Sequence, residues 1–256
     1  MPENIIFIYS HLRDLARQIV TGSLPPDFYR DFSSEYERST RLFHTAPILD
    51  ELRVFVAENP EDDFGHGLDH TVKVALDAGV LIIVEGKRNG YPDVFIDRRV
   101  FLVQCAGLLH DMKRKLGDHA EKGAVFAENL LKAYPISPDE IGDICSAIRN
   151  HEAFKERIPI DTPEGLLVSD CLYDADKFRW GPDNFTDTVW DMVIFSKTPI
   201  EEFIAGYYEG MEGLKKIKFT FRTGTGKKYG PQFIDLGLAI GEKLYQDIKL
   251  KFGGQS

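Results

Sequence analysis

The dipeptide His110-Asp111 closes an almost wholly apolar run, Val100 to Leu109. Such a run reads as a buried helix, and it delivers an imidazole and a carboxylate into an interior where an uncompensated charge is very costly. An ion pair, a hydrogen-bond network or a metal ion could compensate them. Only the metal calls for further histidines and aspartates at other helix ends. They are present: His66 and His70 upstream, His119 and His151 downstream, and Asp170, Asp174 and Asp176 beyond. Imidazole and carboxylate donors without a thiolate suit a divalent transition metal such as Fe, Mn, Ni, Co or Zn.

The elements that must position these residues are helical. Periodicity predicts helices over about 3–20, 28–58, 66–86, 96–112, 119–133, 138–151, 163–179, 186–196, 199–214 and 231–251, with little strand-like alternation. Gly22 to Pro26 breaks the first two apart, Asn59-Pro60 ends the second, and Gly90-Tyr91-Pro92 reads as an ordinary turn. His66 and His70 are four apart and share one helix face. His151 extends the apolar stripe Ile141, Ile144, Cys145 and Ile148, and His119 begins the stripe Gly123, Phe126, Ala127 and Leu130. Three different helices therefore aim a histidine at one interior, which favours the metal over a set of unrelated core histidines.

Five segments in order, His70-Thr-Val-Lys-Val74, Leu108-Leu-His-Asp111, His119-Ala-Glu-Lys-Gly123, Ile148-Arg-Asn-His151 and Asp174-Ala-Asp-Lys-Phe178, resemble the HD-domain superfamily of metal-dependent phosphohydrolases. The resemblance covers about residues 64–185. It implies an all-α fold: an HD-domain helical bundle in a single domain over 1–256, with N-terminal helices in 1–58 and C-terminal helices and a basic loop in 186–256. It also implies that His70, His110, Asp111 and a late aspartate hold one ion, with His119 and His151 available for a second. For the late ligand, the resemblance favours Asp176. Helical periodicity places Asp174 nearer the stripe of Leu167, Cys171, Ala175 and Phe178; Asp170 comes third, as an acceptor for a histidine N–H.

An ion of this kind lowers the pKa of bound water and polarises a phosphoryl oxygen, so the expected activity is hydrolysis of a small phosphomonoester or phosphodiester, a nucleotide among the candidates. Asp111 could combine ligation with orienting the water, beside His110. Lys113 stands where it could meet the substrate phosphate, or be simply solvated, and His66 could contact substrate or cap its helix. Two other classes share the ligand set: a di-iron oxygenase of the same superfamily, and a non-catalytic binding module.

Composition bounds the partners. The chain has 256 residues, a formal charge of −10 and 43% hydrophobic content. That charge, with a pI near 5.2, argues against duplex nucleic acid as a partner and leaves room for a small phosphorylated substrate in a local positive pocket. Against this acidity stands Lys215 to Lys228, which is rich in lysine and arginine. Its glycines with Arg222, Lys227 and Lys228 suit an anion cradle, and otherwise an exposed basic hairpin or an oligomer contact. The N-terminal helices are expected to serve packing and homo-oligomer contacts. No apolar stretch reaches the ~20 residues needed to span a bilayer, so no membrane partner is expected. Cys105, Cys145 and Cys171 fall within apolar helical patterns and read as reduced thiols of a cytoplasmic protein.

Overall fold

A computed structural model describes residues 2–22, 24–59 and 67–252. Among these residues every element is helical and no strand occurs. In chain order the helices are α1 (Pro2–Thr21), α2 (Asp27–Asp31), α3 (Ser33–Thr45), α4 (Pro47–Glu58), α5 (Leu68–Arg88), α6 (Asp93–Leu109), α7 (His119–Leu131), α8 (Pro138–Arg149) and α9 (Pro163–Phe178). A π-helical turn, Asn184–Thr188, then leads to α10 (Val189–Ser196), α11 (Ile200–Ile217) and α12 (Gly224–Phe252). None of the described helices is long and apolar enough to cross a membrane.

Local chemistry explains most of the boundaries. Proline opens α4, α8 and α9, where its missing N–H costs nothing and its fixed φ suits a first turn. Ser137 and Glu140 form a reciprocal capping box on α8, and the Thr162 hydroxyl accepts from Gly165 N–H at the start of α9. The single helix expected over 28–58 is instead three. Phe32 interrupts it, and Ala46, held extended (ψ 112°) before Pro47, breaks it again.

The C-terminal helix also differs from expectation. It begins at Gly224, not near 231, so the glycine-containing basic segment is largely helix and not loop. Thr223 caps it: its hydroxyl accepts from Gly226 N–H at 2.8 Å and donates to Asp174 at 2.7 Å. Glu85 of α5 then accepts from the backbone and the hydroxyl of Thr225. These anchors set the helix direction seven residues before Pro231, which lies inside it at the loss of one backbone bond.

Two apolar clusters result. The first gathers α5, α6, α8 and α9 with α3, α4 and the start of α12, around residues such as Leu81, Val103, Ile148 and Phe178. The second joins α1, α10, α11 and the later part of α12 through Tyr9, Leu12, Trp190, Leu214 and Leu244. Trp180 and Leu238 pack against both. The α5–α6 crossing is close: a Cβ on Gly107 would stand 2.7 Å from the Ala75 Cα. All three cysteines are free and buried, and burial raises their thiol pKa values.

Candidate metal centre

Five helix ends converge on one interior point. His70 lies in the first turn of α5, His110 ends α6, His119 opens α7, His151 follows α8, and Asp176 lies in the last turn of α9. Asp111, next to His110, is 3% exposed and His110 is fully buried. The small residue Gly123 lets α7 approach this corner, since a Cβ there would already lie 3.3 Å from the His110 carbonyl oxygen.

The donors form two groups, His70 with His110 and Asp176, and Asp111 with His119 and His151. In the first, the Nε2 atoms of His70 and His110 are 3.4 Å apart. His70 Nε2 lies 3.5 Å from Asp176 Oδ1, and His110 Nε2 lies 3.8 Å from the same oxygen. In the second, the Nε2 atoms of His119 and His151 are 3.3 Å apart, and they lie 3.9 Å and 3.4 Å from Asp111 Oδ1. The other oxygen of Asp111, Oδ2, turns to the first group, 3.3 Å from His110 Nε2 and 3.8 Å from His70 Nε2. One carboxylate thus spans both.

These separations fit a shared ion. Donors about 2.0–2.2 Å from one metal stand roughly 3–4 Å from each other. Two of the histidines are also held in the required tautomer. His110 Nδ1 donates to Gly107 C=O at 2.8 Å and His151 Nδ1 to Ile148 C=O at 2.6 Å, which leaves each Nε2 lone pair facing the centre. Opposed imidazole Nε2 atoms without a shared proton or cation would simply repel.

Charge around the donors is balanced locally. Burial opposes a charged His110, but the Asp111 and Asp176 carboxylates outweigh it and raise its pKa. Burial likewise opposes ionised Asp176; the Lys177 ammonium and the two histidines prevail and hold its pKa well below the usual range. Lys177 is itself buried, pairs with Asp176 and faces the rings of Tyr173 and Trp180. For His119, burial and the nearby His151 lower the pKa.

The remaining candidates are placed elsewhere. Asp174 lies outside both groups, because its carboxylate accepts from the Arg222 and Thr223 N–H groups and the Thr223 hydroxyl. Burial raises its pKa to about 7 against those bonds. Asp170 pairs with Arg157 at 2.5 Å and contacts no histidine of the centre through that bond. Lys113 has its ammonium 4.5 Å from the Phe126 ring. His66 lies outside the described residues.

Arg222 and Lys227 line a surface hollow of about 370 Å³ with Lys155, Arg157 and Tyr173, and none of the six donors borders it. Arg222 lies flat on the Tyr173 ring, 3.4 Å from its centre. Lys228 is not in that hollow; its ammonium is 3.1 Å from the Tyr229 hydroxyl, which donates to Asp31.

One residue missing from the sequence reading stands at the centre. Arg114 Nη1 donates to both oxygens of Asp111, at 3.2 Å and 3.0 Å, and its side chain is 26% exposed. It shares with His70 the lining of an apolar cavity of about 610 Å³. The signal available was its spacing, three residues after Asp111, the separation at which one helical turn brings side chains together.

A family model described as HD domain matches residues 67–180. No curated protein and no solved structure gives a match.

Proposed function

Taking residues 67–180 as an HD domain, we propose that the chain is a metal-dependent phosphohydrolase that cleaves a phosphoester of a small molecule. The observation that carries this reading is Asp111, whose two oxygens face different histidine pairs. His70, His110 and Asp176 with Asp111 Oδ2 would hold one divalent ion, and His119 and His151 with Oδ1 a second. When bound, such ions polarise a phosphoryl oxygen and make water a competent nucleophile near neutral pH.

The protein's own groups then divide the remaining tasks. Arg114 presents a partly exposed guanidinium beside the centre, suited to receive two phosphate oxygens and to offset charge building on them. Lys177 fixes the free oxygen of Asp176 by pairing with it, so that Oδ1 stays turned to the histidines. Glu152 lies 3.8 Å from His119 Nδ1 and biases that ring's orientation. Asp111, gripped by Arg114 and adjacent to both histidine pairs, is the group best placed to orient the attacking water.

Protein purified without chelator, then saturated with Fe or Mn, should hold two ions per chain. The His119→Ala/His151→Ala variant should hold one. Release of inorganic phosphate from phosphoesters should persist without oxygen. One ion in the parent would reassign His119 and His151 to the substrate phosphate, and turnover only in oxygen would assign the centre to oxidative cleavage.

A further inference from the structure

The cavity that opens at His70 and Arg114 is walled mainly by hydrocarbon: Val189, Met192, Val193, Phe203, Met211 and Leu214 line it. Its volume, about 610 Å³, lies within the ~300–1,000 Å³ usual for small-molecule sites. On one side α11 contributes Gly206, Gly210 and Gly213, and a Cβ at any of them would meet nothing within 4 Å. These glycines leave room in the cavity; no neighbouring helix packs closely against them.

Polar side chains are the minority of the lining: Asn184, Thr188, Thr198 and Glu202 contribute some, while Arg179 donates to Tyr29, Asp77 and Asp183, and the Tyr207 hydroxyl donates to Gly241 C=O at 2.8 Å. A nucleobase set against the hydrocarbon residues would leave donors and acceptors on those edges unpaired, each at a cost comparable to a lost hydrogen bond. A hydrocarbon group would leave none. At the mouth, exposed Phe154 and Met192 extend the apolar surface outward. The cavity thus joins the cationic group Arg114 beside His70 to a wall that is mostly hydrocarbon.

We propose that this cavity binds the hydrocarbon part of the substrate, and that the substrate class is the phosphate ester of an apolar alcohol, not a nucleotide. The inference rests on the hydrolase reading for the phosphate end only. Arg114 and His70 mark where the phosphate would sit, and the α11 glycine face marks where the chain or ring would lie.

The test is binding of methyl-, butyl-, hexyl- and octylphosphonate to the manganese-loaded protein by calorimetry, below any micellar concentration. Affinity should rise about twofold to fourfold per methylene. Gly206→Leu and Gly210→Leu, which place side chains into open space and favour the helix, should remove that rise while methylphosphonate binds as in the parent. Equal affinity along the series, or a chain-length gain unchanged in both variants, would overturn the proposal. Hydrolysis of small phosphate esters without a chain-length gain would overturn this inference and keep the hydrolase reading. A chain-length gain without hydrolysis of octyl phosphate would support the cavity's role while the hydrolase reading fails.

Discussion

Asp174 and Asp176 sit two residues apart on α9 and meet different partners. Asp176 faces His70 and His110, whereas Asp174 ties the start of α12 through three hydrogen bonds. Asp176→Asn should therefore lower metal content sharply, and it should also lower the melting temperature, because the buried Lys177 ammonium loses its carboxylate. Asp174→Asn should leave metal content at the parent's level, and because it turns an N–H donor toward other donors in a buried site, about 2–3 kcal/mol of stability should be lost. Metal analysis of the two folded variants separates the roles. The sequence could not decide between them by periodicity, since helical spacing reports that a side chain points inward and not what it meets there. The order of the HD-like segments carried the extra information for Asp176. Arg114 is hard to read from sequence for a related reason: in Asp111-Met-Lys-Arg114 either cation could face the centre, and only the spacing from Asp111 favours the arginine.

At the level of elements, α8 shows how a helix start can be tied to a distant helix. Glu140 closes the capping box with Ser137 and also receives Arg98 of α6 through two hydrogen bonds, at 2.6 Å and 2.7 Å. Above all through Arg98, its pKa falls from 4.5 to about 2. The sign is that of a depressed carboxylate: its contribution to stability is complete above about pH 4.5 and is lost as pH falls toward about 2. Denaturant melts of Glu140→Gln should show a smaller stability loss than the parent over that interval, with the two profiles parallel at neutral pH. An unchanged acid limb would count against the pair. The segments that carry the donors were legible as helices because each has a long apolar stripe. Two segments differ from the expectation, each for its own reason. In 28–58 the stripe continues across Pro47, so periodicity masked the break. At 224–231 the glycines and Pro231 argue for a loop, and only the buried partners Glu85 and Asp174, far away in sequence, make a helix start there.

Across the whole molecule, the donors and the cavity walls belong to different apolar clusters. The donors project from α5 to α9, which pack in the first; Phe185, Val193, Tyr207, Met211 and Leu214 line the cavity and pack in the second. Leu244→Ala, a fully buried truncation in the second cluster, should cost about 2–5 kcal/mol of stability. Metal stoichiometry measured below the new melting temperature should nonetheless equal the parent's, because α12 meets the donor helices through its earlier residues such as Phe233. Loss of metal from the folded variant would mean that the two clusters stand or fall together. This partition has a bearing on descent. Trp180 and Leu238 pack against both clusters, so a change deep in the second reaches the donor helices through few side chains, and lineages carrying this chain could reshape that wall by small steps while the helix ends that present His110 and Asp111 stay as they are.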